Sequence, residues 1–142
     1  VDITAKTGAG GVVHTMTYPI PILRMVADSN GIGYAPGNGG TSTQATSKST
    51  AATALNKPSG TITMNNANLV AGTIVSFTMA NTCCDVGDTM EINHISGGTI
   101  GAYTFHPVVG ADTVTIHVRN ATAVDLAEAL VLKFNLHKGV NA

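Results

Sequence analysis

From Gly60 onward, apolar and polar residues alternate with a period of two, the pattern of strands with one buried face. Ile62 and Met64 alternate with Thr61 and Thr63. Val75, Phe77 and Met79 alternate with Ser76 and Thr78, and Met90 and Ile92 with Glu91 and Asn93. Further on, Tyr103 and Phe105 alternate with Thr104 and His106, and Val114, Ile116 and Val118 with Thr113, Thr115, His117 and Arg119. The last run sets Leu130, Leu132, Phe134 and Leu136 against Val131, Lys133, Asn135 and His137. Turn signals lie between the runs, at Asn65-Asn66, Asp85 to Asp88 and Gly97-Gly98. Six such strands predict an all-β, antiparallel sandwich or barrel. Only Ala121 to Ala129 reads as helical, for one or two turns at most.

Upstream of Lys57-Pro58 the pattern changes. Thr41 to Thr53 is rich in Thr and Ser, suited to a half-exposed edge strand. One or two strands from Thr41 to Leu55 bring the total to seven or eight, the count for a jelly roll; an immunoglobulin-like sandwich is the second choice, and strand count does not separate the two. Gly31 to Gly40 reads as a loop or linker. Val12 to Val26 is apolar but carries Pro19 and Pro21, which cannot donate to a central sheet ladder. It is expected to be an extended arm that packs on its own domain, a sister subunit or a partner. The domain organisation is therefore an N-terminal arm and linker over 1–40 and a β-sandwich over 41–142. Ile20, Ile22, Leu23 and Met25 are the arm's expected apolar anchors, and Arg24 a charge contact. Open sheet edges offer a second means of contact, β-augmentation, in which an added strand binds through main-chain bonds.

Composition sharpens this. Charged residues make up 11% of the 142, against roughly 25% in ordinary globular proteins. Such a sparsely charged surface suits a protein covered by neighbours in an assembly. A net charge of −1, with Lys and Arg scattered singly, leaves no footprint for nucleic acid. No apolar run reaches the ~20 residues of a membrane helix, and the first residues, Val1 to Lys6, lack the basic-then-apolar order of a signal peptide. Cys83 and Cys84 are adjacent, a spacing that suits neither a metal site nor a scaffold disulfide. They are expected as unpaired thiols, in keeping with a reducing compartment.

Candidate chemistry is sparse. His106, His117 and His137 fall on the polar face of their strands, where neighbouring histidines can meet as a metal site, whereas His94 shares the parity of Met90 and Ile92. Asp85, Asp88 and Asp112 sit at expected turns, where Asp bonds the local backbone, and Glu91 is the one mid-strand acid. There is no Gly-x-Ser-x-Gly elbow, no phosphate-loop lysine and no calcium-loop spacing. Asn120-Ala121-Thr122 matches a glycosylation sequon. No catalytic residue, metal ligand or cofactor is assigned, and a structural protein is expected rather than an enzyme.

The phrases Thr43-Gln44-Ala45-Thr46-Ser47-Lys48-Ser49-Thr50, Leu55 to Ala67, Asn93 to Thr99, Gly101-Ala102-Tyr103 and Glu128 to Phe134 resemble the capsid cement (decoration) proteins of tailed phages with podovirus-like heads. The resemblance covers about Tyr34 to Val140. It implies a jelly-roll subunit, a homo-oligomer on the outer surface of the virion's capsid shell that bridges adjacent major capsid proteins, made in the host cytoplasm. It carries no site residues. A dimer is favoured over a trimer, as a natural bridge across capsid twofolds. The alternative is a head-fibre or tail-associated sandwich binding a host glycan, which wants an exposed aromatic cluster; the chain has no Trp and three Tyr.

Overall fold

The computed structural model describes residues 23–25, 32–34 and 36–139. The chain separates into two compact units, Val1–Asn38 and Gly39–Ala142. In the first, β1 (Leu23–Met25) and β2 (Ile32–Tyr34) pair antiparallel, Leu23 opposite Tyr34 and Met25 opposite Ile32. The expected loop over Gly31–Gly40 thus contains a short strand. β-favouring Ile32 and Tyr34 outweigh the intervening Gly33 once a partner strand is present. Ile20 and Ile22 lie outside the described residues.

The second unit is all-β. Its strands are β3 (Thr41–Thr43), β4 (Ser59–Thr63), β5 (Ile74–Ala80), β6 (Thr89–Ser96), β7 (Tyr103–Gly110), β8 (Thr113–Asn120) and β9 (Val131–His137). They form a four-stranded sheet in the order β3-β4-β9-β6 and a three-stranded sheet in the order β5-β8-β7. The pairings between these strands are antiparallel except β3 with β4, which is parallel. Each of the six alternating runs became a strand, and the Thr/Ser-rich segment supplied β3 at an edge. The Ala121–Ala129 stretch is not helical. It is a loop with a single bridge, Leu69 opposite Leu126, because side chains of Asn120 and Thr122 bond its backbone and compete with helical hydrogen bonds.

The inward residues of both sheets share one core. Ile62, Met90, Leu132, Phe134 and Leu136 from one sheet meet Phe77, Met79, Tyr103, Val114, Ile116 and Val118 from the other. Burying each such aliphatic or aromatic side chain stabilises the fold by roughly 1.5–3 kcal/mol.

The sheet edges are all modified. On one side, Ala52–Leu55 runs along both edges: Thr53 N–H donates to Thr43 O (2.9 Å), Ala52 N–H to Thr78 O (2.9 Å) and Leu55 N–H to Ala80 O (3.0 Å). On the other side the edge strands are β6 and β7. The pairing of β6 with β9 shifts register at a bulge between His94 and Ser96, and β7 carries Pro107, a residue that sheets tolerate at edges.

Candidate functional site

Three strand connections, 64–73, 97–102 and 121–130, lie at one end of the sandwich, joined by the Ser47–Ser49 turn. Two polar side chains, buried Lys48 and part-exposed Glu128, bind them together. Lys48 is buried, and its Nζ donates to Asn65 O (2.6 Å) and to Glu128 O. Burial lowers its pKa, and the Glu128 charge partly offsets that. The Glu128 carboxylate accepts from Thr99 Oγ1 (2.7 Å), Thr99 N–H (2.9 Å) and Tyr103 Oη (2.7 Å). The Thr99 bonds, then that of Tyr103, hold its carboxyl below the usual range. Burial, with the hydrogen bond to Glu128 and its charge, pushes the Tyr103 phenol up.

Other ties fix the neighbouring loops. Asp125 accepts from Ala71 N–H (2.8 Å) and Asn68 Nδ2 (3.0 Å), and these bonds lower its pKa. Asn120 is fully buried and donates its amide hydrogens to Leu69 O (3.0 Å) and Val124 O (2.7 Å). The sequon at Asn120 is therefore not presented for glycosylation in the folded chain. Gln44, also buried, donates to Lys48 O and Thr50 O and accepts from Asn65 N–H.

This rigid end displays apolar side chains. Val70, Ile74, Ile95, Ile100 and Val124 are between 50% and 64% exposed. Single exposed aliphatics are ordinary, but five at one end of a small sandwich are not evenly scattered. Val86 and Val108, also exposed, lie elsewhere. The sequence signal for these residues is phase. Ile74 and Ile95 are apolar at positions where their strands turn outward, and the other three interrupt turn segments.

The anticipated site residues Leu23, Arg24 and Met25 form β1, opposite Tyr34, Gly33 and Ile32. Of the described histidines, His137 and His94 stand apart. His137 Nε2 lies 4.0 Å from Glu91 Oε2 on the four-stranded sheet. His94 is half-buried, edge-on to the rings of Tyr103 and Phe105 at 6.1 and 6.0 Å. Its Nε2 bonds Gly97 O (2.6 Å), while Nδ1 is buried without a partner. His106 and His117 do meet, as direct cross-strand partners on the three-stranded sheet. Among the described residues no three His, Cys, Asp or Glu side chains cluster to hold a metal.

At the opposite end, Cys83 and Cys84 are free thiols. Burial first, then the nearby Asp88 charge, pushes the Cys84 thiol up to about 11, which leaves it protonated and unreactive near neutrality.

Compared with protein-family models, curated proteins and solved structures, the chain matches none.

Proposed function

We propose that this chain is a structural capsid cement protein of a tailed phage. Its copies bind the outer surface of the head and bridge adjacent major capsid proteins, which the apolar loop end contacts. The observation that carries this reading is the group Val70, Ile100 and Val124, exposed on loops that Lys48, Glu128, Asp125 and Asn120 hold in place, with Ile74 and Ile95 exposed on the adjoining strand ends. Loops already ordered in the free protein lose little entropy on docking, so apolar burial converts into affinity more efficiently. Repetition over a shell then makes weak single contacts sufficient, since avidity multiplies them.

A jelly-roll assignment fits this reading. β4 pairs with β9 and β5 with β8, and β6 and β7 lie between them in sequence. Such nested pairing is what results when a long antiparallel ribbon wraps around itself. The bulge in β6 and the proline in β7 favour contact through the loop end and the N-terminal arm over an added strand. The subunit acts as a homo-oligomer, a dimer across capsid twofolds.

The test is the number of copies relative to the major capsid protein in purified heads, for the natural chain and for Val70→Asp and Val124→Asp. The expected result is near-equal numbers for the natural chain and bare heads for the variants. A few copies per particle would instead indicate a fibre or tail part, such as a glycan-binding module. Full decoration by both variants would remove the loop end from the contact.

A further inference from the structure

We propose that His106 and His117 form a two-imidazole site for a divalent transition metal on the outer face of the β5-β8-β7 sheet. Ser76, His117 and His106 stand in one row across the three strands, since His117 is the register partner of both others. The two rings have centroids 6.2 Å apart and planes tilted by 32°. Directly opposed cross-strand residues have Cβ atoms about 5 Å apart on the same face, so one ion is within reach of both side chains. Metal–nitrogen bonds of about 2 Å set two ring centroids about 5 Å apart at the tetrahedral angle of zinc and about 4.5 Å apart at the right angle of Cu²⁺ or Ni²⁺, so the rings must approach by about 1–2 Å. Side-chain torsions alone supply that movement, because His106 is exposed and His117 only half-buried.

Ser76 completes the arrangement as a positioning residue. Its Oγ lies 2.7 Å from His117 Nδ1. When the hydroxyl accepts from Nδ1–H, Nε2 keeps its lone pair for the ion, which is how outer-shell partners fix the tautomer of ligating histidines.

The surroundings select the class of ion. Thr78, Thr104, Val108, Thr115 and Arg119 share this face, and none is a carboxylate. Hard Mg²⁺ and Ca²⁺ therefore find no charged oxygen ligand here, whereas imidazole suits Cu²⁺, Ni²⁺ and Zn²⁺. The chain supplies two ligands and water the rest. Arg119, a cation two residues along the same strand, weakens binding without preventing it.

The test is calorimetric titration of the untagged full chain with Ni²⁺, Cu²⁺ and Mg²⁺, with imidazole signals followed by NMR. Expected are binding of Cu²⁺ more tightly than Ni²⁺, no binding of Mg²⁺, and bleaching of the His106 and His117 signals by Cu²⁺. His106→Asn and His117→Asn should each weaken Ni²⁺ about tenfold or more, and Ser76→Ala several-fold. His137→Asn should leave binding unchanged. The proposal is overturned if the His106→Asn and His117→Asn chains, folded as judged by an unchanged unfolding midpoint, bind Ni²⁺ as tightly as the natural chain. Loss of binding in His137→Asn alone would likewise overturn it.

Discussion

Lys138 Nζ donates to Asp88 Oδ2 across 2.5 Å, joining a largely exposed ammonium to a carboxylate whose side chain is 2% exposed. The same carboxylate accepts from Gly139 N–H (2.8 Å) and Asp85 N–H (2.9 Å). It thereby fastens the end of β9 to the turn before β6.

Asp88 predicts acid sensitivity. Burial pushes its pKa up, but the bonds from Lys138, Gly139 and Asp85 outweigh burial and hold it below the usual range. The stability it contributes is complete above the ordinary aspartate range and is lost as pH falls through the lower folded value. Asp88→Asn should cost about 2 kcal/mol at pH 7 and flatten the decline seen below about pH 4. Urea unfolding at pH 7 and pH 3 measures both. An identical acid decline in the variant would exclude this role.

Lys48→Met leaves the carbonyls of Asn65 and Glu128 without their charged donor. The expected cost is about 2 kcal/mol at neutral pH, with faster amide exchange in residues 64–73 and 121–130. Because burial lowers the Lys48 pKa, the unfolded chain binds more protons than the fold as pH rises toward the ordinary lysine range. Stability therefore gains from Lys48 over that window, and the variant should lack the gain. Denaturation series at pH 7 and pH 10 for both chains would settle the sign.

Glu128→Gln keeps the shape but weakens the acceptor for Thr99 and Tyr103. A loss of about 1 kcal/mol is expected, together with weaker binding to heads if the loop end is the contact. Unaltered head binding with a loosened 97–102 loop would separate loop order from docking.

Two glycines with the same backbone angle give an internal control. Gly97 and Gly72 both have φ of +70°, but a Cβ on Gly97 would stand 2.2 Å from Ala129 O, while one on Gly72 meets nothing within 4 Å. Gly72→Ala should cost only the left-handed conformation, about 1–2 kcal/mol. Gly97→Ala must also displace backbone, so its thermal midpoint should fall well below that of Gly72→Ala. Equal midpoints would contradict the close packing of Gly97 on the β8–β9 connection.

The strands were legible because burial on one face imposes a period of two, and nothing in β4 to β9 competes with it. Parity also placed His94 inward and His106, His117 and His137 outward. The ties at the loop end were not legible. Lys48 and Gln44 are polar residues in a segment without alternation; Asn120 keeps the inward phase of Val114, Ile116 and Val118, but the carbonyls that satisfy Lys48 and Asn120, those of Asn65, Glu128 and Leu69, lie far away in sequence. The Asp88 clasp was hidden for a similar reason: an Asp at a turn ordinarily bonds its own backbone, and its partner Lys138 lies fifty residues away. Likewise no local signal identifies β4 as the parallel partner of β3. What was available, and informative in hindsight, was the out-of-phase Ile74 and Ile95.

The bulge of β6 at His94/Ser96 and Pro107 on β7 bear on whether crowded copies of this chain can join edge to edge. With 11% charged residues, electrostatic repulsion does little to keep crowded copies apart. An unbroken edge would then seed a ladder that recruits chain after chain with no natural stopping point. A bulge in one edge strand and a proline in the other make that route unfavourable. Crowding this protein should therefore not produce strand-to-strand filaments.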